Sequence, residues 1–218
     1  MNRPETSFGA RPWIQQHWDV RAAGNFMLGG AGAGLLVAAP LSLGAALVVF
    51  AIGASSFFLH EDFLRIALAA AALAFLFCQA RILHGSKGIP AWRAPEVVPL
   101  IMLTGLAEGA GIALLFGDAG VLLGLFVLAL LARALAWSRY RAALRQPRSA
   151  AALEPAGRSL LQLGTVLPIA LLLFSTVAPE ALWLAGLMAA ATGWRLKFAL
   201  VTRAAHNQGF SLPHLPTR

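Results

Sequence analysis

The feature that most constrains this chain is a run of 38 residues, from position 22 to position 59, without a charged side chain. Further apolar segments follow, separated by short groups of arginines or acids. An apolar run of about 18 or more residues can cross a hydrocarbon core of roughly 30 Å as a helix. Only helices and closed barrels satisfy every backbone group there, and these segments lack the alternation of barrel strands. The sequence therefore predicts an all-α, polytopic membrane helical bundle.

Composition supports a membrane setting and argues against a nucleic-acid partner. Hydrophobic residues make up 59% of the chain and charged residues 12%, which is far from the average soluble domain. The net charge of +8 comes from arginines at segment ends, where cytoplasmic loops of membrane proteins collect them. We therefore expect membrane lipid around the chain and no nucleic acid among its partners. The single cysteine, Cys78, supports neither a disulfide nor a thiolate metal site.

Charge asymmetry predicts about six transmembrane helices with both termini cytoplasmic. The apolar segments cover residues 22–59, 63–80, 97–116, 119–137, 160–177 and 181–201. Basic residues before the first segment, in alternate loops and near the C-terminus mark the inner side, and Arg195 and Lys197 count with that side. The first segment is long enough for one kinked helix or for two helices. A basic N-terminal segment on the inner side and an acidic loop on the outer side require an odd number of crossings between them. This favours one helix over two.

This topology divides the chain into three parts. Residues 1–21 form a cytoplasmic or interfacial N-terminal segment, residues 22–203 the transmembrane bundle, and residues 204–218 a cytoplasmic tail. The link at 137–158 is the longest, and we expect a loop there that is the only plausible hinge between two halves. We expect a multi-pass protein of the cytoplasmic (inner) membrane of a bacterium.

Glycine pairs at a spacing of four predict close helix packing. The run Gly29–Gly34 lacks the spacing and the preceding strand of a nucleotide-binding loop. Gly30/Gly34, Gly105/Gly109 and Gly120/Gly124 instead form G-x-x-x-G pairs, in which small residues let two helices approach closely.

Glu108 is the most unusual polar residue within an apolar segment. A carboxylate in the bilayer costs several kcal/mol unless it is neutral, paired or next to water, so it is a candidate for a functional group. The alternative is a protonated carboxyl that is hydrogen-bonded to a neighbouring helix. Arg133, nearer the inner end of its segment, is expected to extend its side chain to the membrane surface.

The N-terminal segment places polar and aromatic side chains directly before the first apolar segment. His17, Asp19, Arg21 and Asn25 would cluster at the inner mouth of the membrane, where a quinone headgroup could be bound. The alternative is an interfacial amphipathic helix that only rests on the membrane surface. Haem is not expected, because none of the five histidines lies within an apolar segment.

The chain resembles a known family of membrane subunits. The residues that carry the resemblance are the run from His17 to Phe26, the run from Lys87 to Arg93, and the run from Thr104 to Gly109. They are similar to the membrane anchor subunits of molybdopterin oxidoreductases, the DmsC/NrfD-like superfamily of dimethyl sulfoxide, polysulfide and nitrite reductase anchors. Within it, the similarity is closest to the membrane subunits of phenylacetyl-CoA:acceptor oxidoreductases.

The resemblance implies a quinone-reactive membrane anchor that carries no catalytic centre of its own. Electrons would pass between membrane quinone, either ubiquinone or menaquinone, and a partner iron–sulfur subunit with several clusters. The molybdopterin, with molybdenum or tungsten, would be held by a separate catalytic subunit. We expect no haem, no metal and no catalytic residue in this chain.

We expect the quinone headgroup at the inner end of the bundle, near the docked iron–sulfur partner. The predicted quinone-binding residues are His17, Trp18, Asp19, Arg21, Asn25, Arg81, Trp92 and Arg93. Glu108 lies deeper and is assigned a supporting role on a proton path. The same cluster could instead only dock the iron–sulfur partner. A second kind of function also remains open, a small proton-coupled transporter or channel that uses Glu108.

Overall fold

The structure is a computed structural model that describes residues 23–24, 26–27, 62–85, 88–116, 120–175 and 177–206. Within these ranges the secondary structure is helical and no β-strand occurs, which confirms the all-α prediction. Most of the segment 22–59 and most of the tail 204–218 lie outside the described ranges. Ala204 and Ala205, which the prediction places in the tail, are buried against the bundle.

The described helices follow the predicted apolar segments and extend several of them. They are α1 (Asp62–Gly85), α2 (Pro90–Arg93), α3 (Val97–Ala113), α4 (Gly120–Ala143), α5 (Pro147–Leu161), α6 (Leu167–Phe174) and α7 (Glu180–Phe198). A π-helical turn, Gln162–Val166, joins α5 to α6 without a break, and a second one, Ala199–Arg203, continues α7.

Three of these helical units are long and apolar enough to cross a membrane, judged by length and composition. They are Gly120–Ala143, the continuous unit Pro147–Phe174, and Glu180–Arg203. Shorter apolar helices cover Ala69–Gly85 and Val97–Ala113. Large apolar side chains such as Leu128, Val166 and Leu173 are exposed on the outer faces. Such an apolar exterior is what a lipid solvent requires.

Helix α3 lies at the centre of the described bundle. It packs against α1, α4 and α7. Most of its residues from Thr104 to Gly111 are buried, and small side chains predominate there, so neighbouring helices can approach it on several sides. Two main clusters of buried apolar side chains form, one around Trp92 and Tyr140 and one around Phe126.

The backbones of α3 and α7 approach each other closely at Gly111 and Gly186. A Cβ on Gly186 would meet the Gly111 carbonyl oxygen, and a Cβ on Gly111 would lie 2.8 Å from the Gly186 oxygen. Within the described part of the chain the predicted packing role of Gly120 and Gly124 is wrong, because both are exposed and a Cβ on either has no described neighbour within 4 Å. The G-x-x-x-G spacing does not reveal which helix face meets a partner.

The predicted long loop at 137–158 is also wrong. Helix α4 continues to Ala143 and α5 begins at Pro147, so the link consists of residues 144–146. Proline at the first helical position starts a helix because its missing N–H needs no partner there. Arg141 crosses the short link and contacts Glu154 with its Nε 3.1 Å from the carboxylate. These residues therefore form a tight helical hairpin, and the structure offers no hinge loop at this position.

One end of the bundle brings together the termini of four helices. Side-chain donors join them through backbone carbonyls: Trp92 Nε1 to Leu200 (3.0 Å), Tyr140 OH to Ala91 (2.9 Å) and Ser149 Oγ to Ala204 (3.0 Å). The starts of α3 and α5 thus lie beside the ends of α4 and α7, so these helices alternate in direction. We call residues 90–97, 139–149 and 199–206 the basic end, because arginines outnumber acids there.

Candidate functional site

A carboxylate and an ammonium group meet inside the bundle. Glu108 on α3 and Lys197 on α7 are both fully buried, and Lys197 Nζ donates to Glu108 Oε2 over 2.6 Å. Glu108 lies about 16 Å along the helix axis from Val97, where α3 begins. The Glu108 carboxylate therefore lies well inside the bundle, and the Lys197 side chain reaches it from the last turn of α7.

This pair refines two sequence-based expectations. Lys197 lies in the last turn of α7, but its ammonium group is enclosed with Glu108 and does not reach the surface. Glu108 is bonded to a neighbouring helix, and its partner is a lysine that the sequence did not identify. A signal for the pair was present: Lys197 interrupts an apolar segment, and an intramembrane cation usually pairs with an intramembrane acid.

Arg133 of α4 belongs to the same buried layer. Its Nη1 donates to the Ala189 carbonyl of α7 over 2.9 Å, and its Nη2 donates to the Gly164 carbonyl. The expected extension to the membrane surface is wrong, because the guanidinium is fully buried and turned inward. The layer thus contains two cations and one anion, and the charge of Arg133 acts on both Glu108 and Lys197.

The π-helical turn before α6 provides an acceptor for Arg133. In an α-helix the N–H of residue 168 would donate to the Gly164 carbonyl, but Pro168 has no N–H. Gly164 also leaves space, since a Cβ there would meet Thr192 Oγ1 and lie 3.0 Å from Arg133 Nη2. The guanidinium therefore donates to a buried carbonyl that Pro168 leaves without its α-helical donor. Single π-turns of this kind are frequent at functional sites.

The buried layer retains unused hydrogen-bonding capacity. Within the described part of the chain, Glu108 Oε1 and Arg133 Nε have no hydrogen-bond partner. Gly193 of α7 leaves the room that Glu108 Oε1 occupies, because a Cβ on Gly193 would meet that oxygen. A carboxylate with one open oxygen beside two cations can accept a proton or bind a water molecule.

The predicted quinone-binding residues are only partly described. His17, Trp18, Asp19, Arg21 and Asn25 lie outside the described residues. Of the others, Arg81 and Arg93 are exposed and Trp92 is fully buried.

Trp92 has a clear packing role at the basic end. Its indole N–H donates to the Leu200 carbonyl, and its own carbonyl lies 3.2 Å from His84 Nδ1. The contact with His84 holds α1 and α2 together, which places Arg81 and Arg93 at the same end of the bundle. Trp92 therefore belongs to the buried core of the basic end and joins its helices by hydrogen bonds.

A cavity of about 590 Å³ lies between α3 and α4 at the basic end. Its wall contains Glu96, Pro99, Leu103, Ala132, Leu135, Ala136, Arg139, Ala142 and Ala143. One acid and one arginine balance each other in this wall, and the remaining lining is apolar. Glu96 Oε2 is buried and has no hydrogen-bond partner among the described residues. Neither Glu96 nor Arg139 was singled out from the sequence, where Glu96 is an acid in an otherwise basic loop.

A second cavity, of about 670 Å³, continues around the same helix ends. It shares Glu96, Ala142 and Ala143 with the first cavity, and Arg93 and Arg145 also line it. Arg93, one of the predicted residues, thus borders a real cavity. The two spaces together form a polar opening connected to an apolar pocket.

Comparisons with known proteins give no relative: no family model, no curated protein and no solved structure matches this chain. In the described ranges there is also no group of three or more His, Cys, Asp or Glu residues that could hold a metal ion.

Proposed function

We propose that this chain is a quinone-reactive membrane anchor subunit of a multi-subunit molybdenum or tungsten oxidoreductase. The complex would include an iron–sulfur subunit with several clusters and a molybdopterin catalytic subunit, and the substrate chemistry would occur on those partners. The proposal includes six crossings, both termini in the cytoplasm, and a bacterial cytoplasmic membrane as the location.

The observation that carries the proposal is the cavity between α3 and α4. A quinone is an uncharged ring with two carbonyls and an apolar isoprenoid tail, so it suits a charge-balanced wall with an apolar interior. Arg139 can donate a hydrogen bond to one carbonyl. Glu96 Oε2, which lacks a partner in the described residues, can accept a proton or a hydrogen bond from a quinol hydroxyl. Leu103 and Leu135 line the part that suits the tail.

The position of the cavity also fits electron transfer. A quinone accepts two electrons and two protons, and the electrons would come from a cluster in the docked partner. Since the cavity lies at the basic end, a partner that docks on the cytoplasmic side would hold its cluster close to the ring. Arg93 and Arg145, in the adjoining cavity, offer a positively charged surface for that partner.

The test is to purify a tagged chain in mild detergent from its own membranes and to analyse the metals that it retains. Iron together with molybdenum or tungsten should be present in fixed ratio to the chain. In that complex, Glu96→Gln and Arg139→Gln should lower quinone-linked turnover by about tenfold to a hundredfold, the effect of losing one hydrogen bond to a charged group. Turnover with an artificial dye should be unchanged.

Glu180→Gln is the matched control, because it removes an exposed carboxylate at the opposite end of the bundle. A chain that purifies without iron or molybdenum or tungsten contradicts the anchor role. Normal quinone turnover in both cavity variants contradicts the assignment of the site.

The Glu108–Lys197 pair favours a second candidate function, proton-coupled transport. A buried pair with one open carboxylate oxygen can take up and release a proton as Glu108 separates from Lys197. As a channel, the chain alone in liposomes should conduct protons, measured with an internal pH-sensitive dye, and Glu108→Gln should abolish the flux. Liposomes with no proton flux would exclude a proton channel.

A further inference from the structure

A small cavity between α5 and the C-terminal part of α7 has a different character from the two described above. Its volume is about 120 Å³, and Ala152, Pro155, Ala156, Arg195, Phe198, Ala199 and Arg203 line it. Two arginines face this space, and none of the described residues in its wall is an acid. The cavity between α3 and α4, in contrast, has one arginine and one acid.

Both arginines are free to bind an anion. Glu154, the nearest acid along α5, already contacts Arg141 at 3.1 Å and Arg158 at 3.5 Å. In the described part of the chain, neither Arg195 nor Arg203 has a carboxylate within 4.0 Å, and both are exposed. Arg203 lies over the Phe198 ring at 5.9 Å, which orients its side chain along the wall of the cavity.

The location of the cavity indicates the source of the anion. Lys197 points into the bundle, whereas Arg195, two positions earlier, lies on the outer side of the same helix. Arg203 ends the helical unit at the basic end. An arginine on the outside of an apolar helix reaches the phosphate layer of a membrane by extending its stem along the protein. Basic notches between helices at this level are typical sites for anionic lipid headgroups.

We propose that the cavity framed by Arg195 and Arg203 binds the phosphate group of an anionic phospholipid. The guanidinium groups hold the phosphate from two sides as charge-assisted hydrogen-bond donors. The acyl chains lie along the apolar outer faces of α5 and α7. This site requires only that the bundle sits in a membrane, so it holds whether or not the chain reacts with quinone.

The experiment is native mass spectrometry of the detergent-purified full chain with phosphatidylglycerol or phosphatidylcholine at equal concentration. Phosphatidylglycerol should remain bound to a larger fraction of the protein. The double variant Arg195→Gln/Arg203→Gln should lower its occupancy by about tenfold or more. The matched control is Arg141→Gln/Arg158→Gln, which removes the same charge at arginines that already contact Glu154, and it should bind like the unaltered chain.

A third variant tests the cavity itself, and a competitor tests whether the ligand is a lipid. Ala152→Leu narrows the cavity without a change of charge and should also reduce phosphatidylglycerol binding, even if the arginine variant fails to fold. Excess inorganic phosphate should not displace the lipid, because it lacks acyl chains. Equal retention of the two lipids, equal loss in the control variant, or displacement by inorganic phosphate would each overturn the proposal.

Discussion

Glu108 is held by contacts from the helices on two sides of α3. Lys197 of α7 bonds one carboxylate oxygen, Gly193 makes room for the other, and the charge of Arg133 comes from α4. Charged groups inside a membrane bundle are expensive unless they are paired. A buried ion pair stabilises a fold weakly, but removal of one member leaves an uncompensated charge. The contribution of each residue therefore depends on the presence of the other.

The pair should show strong coupling in a double-mutant cycle. We expect Lys197→Met to destabilise the protein by about 3–5 kcal/mol, because Glu108 then stays buried without its cation. The double variant Glu108→Gln/Lys197→Met should recover most of that loss. Thermal unfolding in detergent measures both, and Arg158→Gln at the surface is the control, with a change below about 1 kcal/mol. Additive effects of the two substitutions would contradict the coupling.

The sequence predicted one of the three charged residues of this buried layer. Glu108 stands out locally, because an acid within an apolar segment has few structural explanations. Its partner is separated from it by 89 positions, and which helices pack together is a property of the whole bundle. Lys197 and Arg133 both lie near segment ends in the sequence, where a long basic side chain normally reaches the surface. Only the packed structure shows that these two turn inward.

Helix α3 meets α7 through backbone surfaces at one level and through charges at another. Gly111 and Gly186 set the distance between the two helices, and Glu108 and Lys197 join them further along. On the other side of the layer, Arg133 connects α4 to α7 and to the π-turn at Gly164. A change in helix spacing at the glycines is therefore transmitted to the buried polar contacts.

Alanine substitutions at two glycines should distinguish the effect of close helix packing on stability from the effect of helix propensity. Gly186→Ala should destabilise the protein by about 1–3 kcal/mol, because its Cβ meets the Gly111 carbonyl and forces the helices apart. Gly124→Ala is the matched control. Its Cβ meets nothing within 4 Å, so it should be neutral or stabilising by up to about 1 kcal/mol. Unfolding temperatures in one detergent compare the two, and equal shifts would refute the close contact.

Apolar runs predicted the existence of most described helices but not their ends. Beyond Trp137 the chain becomes basic, which suggested a loop, yet alanine, leucine and arginine are good helix formers and α4 continues to Ala143. The informative signal was Pro147, which starts α5. The π-turn at Gly164 depends on Pro168 together with a donor from another helix, a combination that local sequence does not reveal.

At the scale of the whole molecule, the two ends of the described bundle differ in charge. The basic end carries arginines on several helix termini, and the only acid in its three ranges is Glu96. The opposite end, where α7 begins, carries Glu180. This asymmetry matches the rule that basic residues stay on the cytoplasmic side.

Reporter fusions test the orientation directly. Alkaline phosphatase fused after Arg145 should be inactive, because the link at 144–146 lies at the basic end, which the excess of arginines predicts to be cytoplasmic. A fusion after Ser175 should be active, since the apolar unit Pro147–Phe174 separates the two positions. A fusion at Arg218 should again be inactive. Activity at Arg145 or at Arg218 would contradict the predicted topology.

The ion pair between α3 and α7 also has a consequence for how the chain would insert into a membrane. A charge at the centre of an inserting helix raises the free energy of insertion by about 2.5–3.5 kcal/mol, and Arg195 and Lys197 add part of such a cost in the last turn of α7. Glu108 precedes Lys197 by 89 residues, so we expect it to be inserted first. The last segment would then enter lipid beside a carboxylate that can neutralise Lys197, and α3 would be the template on which the C-terminal helix is placed.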